Sequence, residues 1–472
     1  MANIIQQVED IYDYVYNIKE EITRGGQGAV FRTDDGDVCV KIELKDDEYV
    51  TDTSNNSKYD DIRILPISQN LNVTKPLSTL KNYSGYIMRL LEDMIPFRKA
   101  FDFKEGKTSQ CTNNWLDNFK DNEDFYNDYG QYITSGGYRK RIVAYLHSAI
   151  LLLQLHSSGL VYCDFSPNNV FVSDKKSNIV WLIDSDNINY YDITKENTFL
   201  HTPDYAPKEI STVKSGCTFY SDCFAFAISL FWQLTWTHPF QEPEAESEDD
   251  EDSDDFKEQS NRQDRINAGE PWIFDNGYEE EDIDTRISKI ILSPNIRKCF
   301  SKIFSSEGIN KPNKRATMFE WAYVLSKDLD TSIHCRNCEM DYDYISFEEG
   351  NCPWCGYKNS AIEIESKTEN GMTIWKFVHE IEEGQEIHVS SRIIYGFSVS
   401  NIDEIAFDIK IENNKLIITN FLDDCYFYFV NKNSKEEIYG KFILNIFDFC
   451  NIISKIKKDQ TICNINMRII KK

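Results

Sequence analysis

The chain begins and ends in alternating apolar and polar positions, with long apolar runs between. Near the N-terminus VCVKI at 38–42 alternates with a period of two, the mark of a half-buried strand, and sets Lys41 on the face opposite its apolar neighbours. The most apolar stretches, 142–155 and 224–236, are interrupted by His147, Gln154 and Gln233, so buried helices are predicted rather than bilayer spans. Alternation returns in IAFDIKI (405–411) and LIITNF (416–421), which predicts strands of a compact β domain. From about Tyr16 to Leu325, short β-rich stretches lead into long helical ones, the order of a small β lobe followed by a larger helical lobe. The fold class predicted is α+β, and no internal repeat is found.

One stretch departs from this pattern. EPEAESEDDEDSDD, at 242–255, is almost wholly acidic and has no apolar surface to bury, so a solvated, disordered insertion is expected over about 241–262. Across all 472 residues the balance is 78 acidic to 51 basic, a net charge of −27 that repels a phosphate backbone and speaks against nucleic acid as the main partner. The first residues, MANIIQQVEDIYDYVY, have no basic start and no small-residue cleavage site, so a secretory signal is not expected. Thirteen cysteines, only four of them regularly spaced, suggest reduced thiols with one metal site in a cytoplasmic setting; no membrane anchor is read.

Candidate chemistry comes in a fixed order along the chain. TRGGQGAVF at 23–31 puts Gly25, Gly26 and Gly28 before a strand, where missing side chains let backbone amides approach phosphates, although such a hairpin is usually only a turn. Lys41 follows on the next strand; a lone strand lysine is ordinarily a surface residue. YCDFSPNNVFV (162–172) then spaces Asp164 five residues from Asn169, and WLIDSDN (181–187) brings Asp184 about one hairpin later. Two oxygen ligands beside phosphates suit Mg²⁺, and phosphoryl transfer asks for positioning and counter-charge more than for covalent chemistry.

With these residues in this order, 16–325 resembles a protein kinase domain, most like bacterial serine/threonine kinases whose catalytic loop reads D-x-S-P-N-N. The resemblance implies a bilobal domain over 1–332. Lys41 would contact the α- and β-phosphates of ATP, Asp164 would accept the substrate hydroxyl proton, and Asn169 with Asp184 would hold Mg²⁺. TPDYAPKE (202–209) resembles the close of an activation loop, with Glu209 pairing Arg315, and Asp222 resembles a helix-borne aspartate that orders the catalytic-loop amides. Asp61 is the helix carboxylate expected to pair with Lys41, with Asp60 its close competitor. Departures are visible as well. Tyr162-Cys163 stands for His-Arg, Ser166 for the usual lysine, Thr23 for the first glycine, and Ser185-Asp186 for Phe-Gly. Cys163 beside the base is expected to be a buried, inert thiol.

Cys335-x2-Cys338-x13-Cys352-x2-Cys355 is the spacing of a four-thiolate site, and Gly350, Pro353-Trp354 and Gly356 give it the look of a zinc ribbon over 333–358. Four thiolates leave no open position, so structural Zn²⁺ is expected. Residues 359–472 are read as a small β-rich interaction domain whose aromatics, among them Trp375, Phe377, Phe407 and Phe427, form its core; Ser390, Arg392 and Gly396 only distantly suggest a forkhead-associated domain. The leading expectation is an Mg-ATP-dependent serine/threonine protein kinase acting on a protein substrate. An ATP-binding pseudokinase scaffold is the alternative, and a small-molecule kinase a third reading drawn from Ser166. Resemblance alone implies a metal-dependent phosphatase and a von Willebrand factor A-like protein as partners in signalling or stress defence.

Overall fold

Period-two alternation builds the N-terminal sheet. In the computed structural model, which describes residues 5–102, 104, 115–119, 123–173, 175, 179–191, 202–212, 215–241, 255–275, 290–347, 351–431, 434–445 and 450–470, the chain is a mixture of helix and sheet. Contacts divide it into two units. One comprises Met1–Asp102, His147–Glu281 and Phe300–Phe319, the other Phe103–Leu146, Asp282–Cys299 and Glu320–Lys472.

The first unit opens with seven antiparallel strands: β1 (Gln7–Glu9), β2 (Val15–Arg24), β3 (Gly28–Thr33), β4 (Val38–Lys45), β5 (Glu48–Tyr49), β6 (Ser78–Thr79) and β7 (Gly85–Arg89). Their order is β1-β2-β3-β4-β7-β6, with β5 paired to β4. On β4, Val40, Ile42 and Leu44 join Ala29, Phe31, Leu80 and Ile87 in one core, while Lys41 and Glu43 take the other face. That second face carries a smaller cluster, in which Tyr59 and Ile62 of the helix Asn56–Arg63 meet Tyr86 of β7. Gly85 permits the close approach of β7, because a Cβ there would lie 2.2 Å from the Lys41 carbonyl oxygen. Asn56 ties the helix down, its amide donating to the carbonyls of Leu80 and Tyr83 and accepting from the Gly85 amide at 2.7–3.0 Å.

Beyond the sheet, the same unit holds the three-stranded sheet of Met94–Pro96, Val170–Ser173 and Val180–Leu182 and the helix Phe219–Thr235. That helix is apolar almost all round and correspondingly buried, as the apolar run from 224 predicts. Thr218 and Ser221 start it with a reciprocal capping box. The disorder expected over about 241–262 needs correcting at its C-terminal end. Residues 242–254 lie outside the described residues, but Asp255–Ala268 is a helix. It is held by the fully buried Ile266, by Gln263 bonding the Asp204 amide and the Ala206 carbonyl, and by Arg262 at 3.7 Å from Asp204. Among the described residues no helix is long and apolar enough to cross a membrane.

The second unit contains a β-sandwich, as the C-terminal alternation predicts. Six antiparallel strands run in the order Thr373–Glu380, Ala361–Thr368, Ile462–Ile470, Cys450–Ile456, Cys425–Val430 and Lys435–Glu437. Four more run Glu386–Ser390, Ile405–Glu412, Lys415–Thr419 and Phe442–Asn445. Both sheets contribute to one core that includes Ile364, Trp375, Phe377, Phe407, Ile409, Ile418, Phe427 and Ile465. Tyr426, by contrast, is exposed.

One buried acid in this unit should make its stability depend on pH. Asp328, on the helix Met318–Thr331, accepts from the Tyr138 hydroxyl at 2.7 Å, and burial, reinforced by Asp343, raises its pKa to about 7. A carboxyl whose folded pKa lies above its unfolded value stabilises the fold below the unfolded pKa and loses that contribution as pH rises through about 7. Asp328→Asn, which cannot ionise, should therefore gain on the wild type between pH 5 and pH 8 by about 2–5 °C in melting temperature. Parallel melting curves at the two pH values check this; an unchanged difference would mean that Asp328 does not take up a proton on folding.

Candidate active site and metal centre

Lys41 is the first candidate residue the fold places. Its Nζ donates to Asp184 Oδ1 and, at 2.7 Å, to Asp186 Oδ2. Burial works against the ammonium, but Asp186 and Asp184 outweigh it and hold its pKa above the ordinary lysine value. Burial raises Asp184 in spite of Lys41, whereas Lys41 and the Tyr86 hydroxyl keep Asp186 below the usual carboxylate range against the opposing effect of burial. Asp61 is not Lys41's partner, which corrects the sequence expectation. The helix turns Tyr59 and Ile62 inward, leaves Asp61 exposed, and pairs Asp60 with Arg63 at 3.3 Å. The Tyr59 hydroxyl bonds Glu43, the next residue along β4 on Lys41's face.

Gly25 and Gly26 lie between β2 and β3 and Gly28 opens β3, and the Gly25 amide donates to the Gly28 carbonyl at 2.9 Å. Of the three, Gly28 is close to Lys41: a Cβ there would be 3.4 Å from Lys41 Cε and 3.1 Å from the Ile42 carbonyl. Added Cβ atoms at Gly25 and Gly26 would meet almost nothing.

A chain of hydrogen bonds connects Lys41 to the remaining candidates. Asp184 follows Ile183, whose amide donates to the Asn169 carbonyl at 2.9 Å. Asn169 Nδ2 in turn donates to the Asp164 carbonyl at 3.0 Å and to Asp164 Oδ2 at 2.9 Å. The other Asp164 oxygen accepts from the Thr202 hydroxyl at 2.7 Å. Lys41, Asp184, Asn169 and Asp164 thus belong to one connected set inside the first unit. Ser166 is fully buried, so it presents nothing where the resembled family has its lysine.

Each of the two motifs contains one strained backbone position. Cys163 and Asp184 both adopt left-handed conformations, at φ 74° and 54°. For a residue with a Cβ this costs about 1–2 kcal/mol. At Cys163 two charge-assisted bonds offset it: Asp222 accepts from the Tyr162 amide at 2.8 Å and from the Cys163 amide at 2.9 Å. Asp222, itself fully buried, also meets His156 Nε2 at 2.9 Å. The expected ordering of the loop by Asp222 is what the geometry shows, and Glu209 pairs bidentately with Arg315 at 2.6 and 2.9 Å. The Cys163 thiol is pushed well above its usual pKa by its hydrogen bond with Cys217 and by burial, so it stays protonated and unreactive at neutral pH.

Sequence reasoning missed three functional-looking residues. Asp186 was seen only as a departure from a motif, and Tyr86 and Thr202 were not singled out. The available signal for Asp186 was the spacing of two acids in DSD, which puts both near one point when the intervening backbone turns.

In the second unit, Cys335, Cys338, Cys352 and Cys355 bring their sulfurs within 4.8 Å of one another. Cys335–Cys355 and Cys338–Cys352 are each 3.6 Å apart. A tetrahedral site with Zn–S near 2.3 Å needs sulfur separations of about 3.8 Å, so the four thiols suit zinc. The hairpin Ser332–His334/Asp341–Asp343 carries the first pair, and the Cys352 amide bonds the Tyr357 carbonyl to shape the second. Gly350 lies outside the described residues.

No protein-family model and no curated protein matches the chain. Among solved structures it aligns with the autoinhibited serine kinase domain of the giant muscle protein titin, at 14% identity and a TM-score of 0.44, over 68% of this chain and 83% of that one.

Protein purified from zinc-replete medium should carry about one zinc per chain, and Cys352→Ser should lose it. Metal analysis by mass spectrometry checks the content. A chelator-induced fall in melting temperature that is absent from Cys352→Ser would tie the metal to these thiols.

Proposed function

We infer that the chain is an Mg-ATP-dependent protein kinase transferring the γ-phosphate of ATP to a serine or threonine hydroxyl. The observation that carries the reading is the connected set of Lys41, Asp184, Asn169 and Asp164, drawn from three separate stretches of sequence. Kinase, three-part division into 1–332, 333–358 and 359–472, and structural zinc at the four cysteines belong to the same proposal.

Each residue has a chemical task in it. Asp164, held by Asn169 and Thr202, presents a fixed carboxylate to a substrate hydroxyl and takes its proton. Asn169 uses its amide nitrogen on Asp164, which leaves the amide oxygen to a cation beside Asp184, and those two oxygens fit a hard divalent ion. When bound, Mg²⁺ would neutralise phosphate charge. Lys41 supplies a buried positive charge for the α- and β-phosphates, and Gly28 leaves the space beside it open. The order imposed on residues 162 and 163 by Asp222 keeps the base from drifting, and misplacement by 1 Å is enough to cost about a hundredfold in rate.

The test is radiolabelled ATP with Mg²⁺ and lysate proteins as acceptors. Wild type should label acceptors or itself. Lys41→Ala should lose labelling and weaken nucleotide binding, and Asp164→Asn should lower transfer by at least about a hundredfold while retaining Mg-ATP binding. Nucleotide binding without any labelling in the wild type would instead favour a scaffold.

A further inference from the structure

We propose that Asp186 is the positioning residue for Lys41, a permanent counter-charge that keeps the ammonium in place while Asp184 turns to the metal; this rests on the phosphotransfer reading. The two carboxylates around Lys41 are held differently. Asp186 is 13% exposed, and its two oxygens are both engaged, Oδ1 by the Tyr86 hydroxyl and Oδ2 by Lys41, each at 2.7 Å. Tyr86 is fully buried, lies opposite Lys41 in the β4–β7 register, and packs its ring 4.7 Å from that of Tyr59. Lys41, Tyr86 and Asp186 therefore brace one another against a single pair of strands. Asp184 is 30% exposed, more than twice as open as Asp186, and sits where the backbone turns left-handed after the strand Val180–Leu182.

The chemistry needs this difference. Were Asp184 to turn to a bound cation, Lys41 would keep one counter-charge, and if that left as well a largely buried ammonium would stand uncompensated. The helix Asn56–Arg63 cannot step in, because its inward residues are Tyr59 and Ile62 and its Asp61 is exposed. What the helix supplies is an aromatic prop. The counter-charge comes instead from two residues beyond the metal-facing aspartate, so the pair forms whenever that loop is in place and does not wait on a helix movement.

Initial rates of the full-length protein with Mg-ATP test this in wild type, Asp186→Asn, Asp186→Glu, Tyr86→Phe and Asp61→Asn. Asp186→Asn should lower kcat/KM by about tenfold or more, with KM for ATP raised and the half-saturating Mg²⁺ concentration within about twofold of wild type. Asp186→Glu should recover part of the loss. Tyr86→Phe, which removes one hydroxyl and no charge, should fall a few-fold in the same direction and keeps the idea falsifiable if Asp186→Asn fails to fold by circular dichroism. Asp61→Asn should stay within about twofold. Unchanged kcat/KM in Asp186→Asn, or in Tyr86→Phe where Asp186→Asn is unfolded, overturns the proposal; so does a large loss in Asp61→Asn. A roughly tenfold rise in the Mg²⁺ requirement of Asp186→Asn would make Asp186 a metal ligand and also overturn it. If the wild type transfers no phosphoryl group, the phosphotransfer reading fails. The positioning role is then read from a fluorescent ATP analogue with Mg²⁺, whose binding Asp186→Asn should weaken and Asp61→Asn should not.

Discussion

A largely buried ammonium between two carboxylates is the constraint around which the first unit is arranged. Removing one partner from a buried ion pair typically costs about 3–5 kcal/mol, a large part of the stability of a whole domain. Lys41, Asp184 and Asp186 come from segments more than a hundred residues apart, so this cost falls on any arrangement in which the hairpin Val170–Ser173/Val180–Leu182 is not brought to β4. Local features of the sheet serve the same end. Alternation along β4 points Lys41 away from the Val40 and Ile42 core, and Gly85 lets β7 come close enough for Tyr86 to reach Asp186.

Charge also sets register elsewhere in the unit. Asp222, borne on an otherwise apolar helix, is buried because two loop amides and His156 occupy its oxygens, and without it the left-handed turn at Cys163 would have nothing to offset its strain. Arg315 similarly gathers the Glu209 carboxylate and the carbonyls of Gly308 and Tyr220 around a fully buried guanidinium. Apolar packing could stabilise these contacts as well. Only a directional, fully satisfied group fixes which residue of a loop lies where, and the proposed transfer asks this of Asp164, whose carboxylate would have to meet a proton within hydrogen-bond reach.

How much of this was legible in the sequence depends on the residue. The positions of Lys41, Asp164, Asn169, Asp184 and Asp222 could be singled out because each sits in a short motif whose spacing is local, and Glu209 and Arg315, 106 residues apart, because each sits in a motif of its own. The Lys41 partner was misread for a reason the same sequence contained. In NSKYDDIR the apolar residues Tyr59 and Ile62 are three apart, so helical periodicity turns them inward and Asp60 and Asp61 outward. Asp186 was harder to see: the DSD spacing sets two acids close together, but the left-handed backbone at Asp184 is what lets both reach Lys41. The helix Asp255–Ala268 escaped because an acidic run at its start masked a continuation that is held, among the described side chains, by the buried Ile266 and by polar ties to residues about fifty positions earlier.

The second unit applies the same physics to a different end. Its Arg392 sits among serines and ahead of a glycine, which in sequence hints at an anion-binding turn. In the structure that guanidinium is only 5% exposed, and the Asp330 carboxylate takes two of its bonds, at 2.7 and 2.8 Å. Asp330 also accepts from Trp375 Nε1 at 2.7 Å and from the Ser390 hydroxyl at 2.8 Å, so four donors converge on one acid. An arginine held this way cannot turn to a phosphate without leaving a buried carboxylate short of its charge partner, a loss of several kcal/mol that a single new ion pair would not recover. Arg392 is therefore a tie between the helix Met318–Thr331 and the sandwich, and a binding role for the sandwich has to be sought in side chains whose charges are still exposed to solvent.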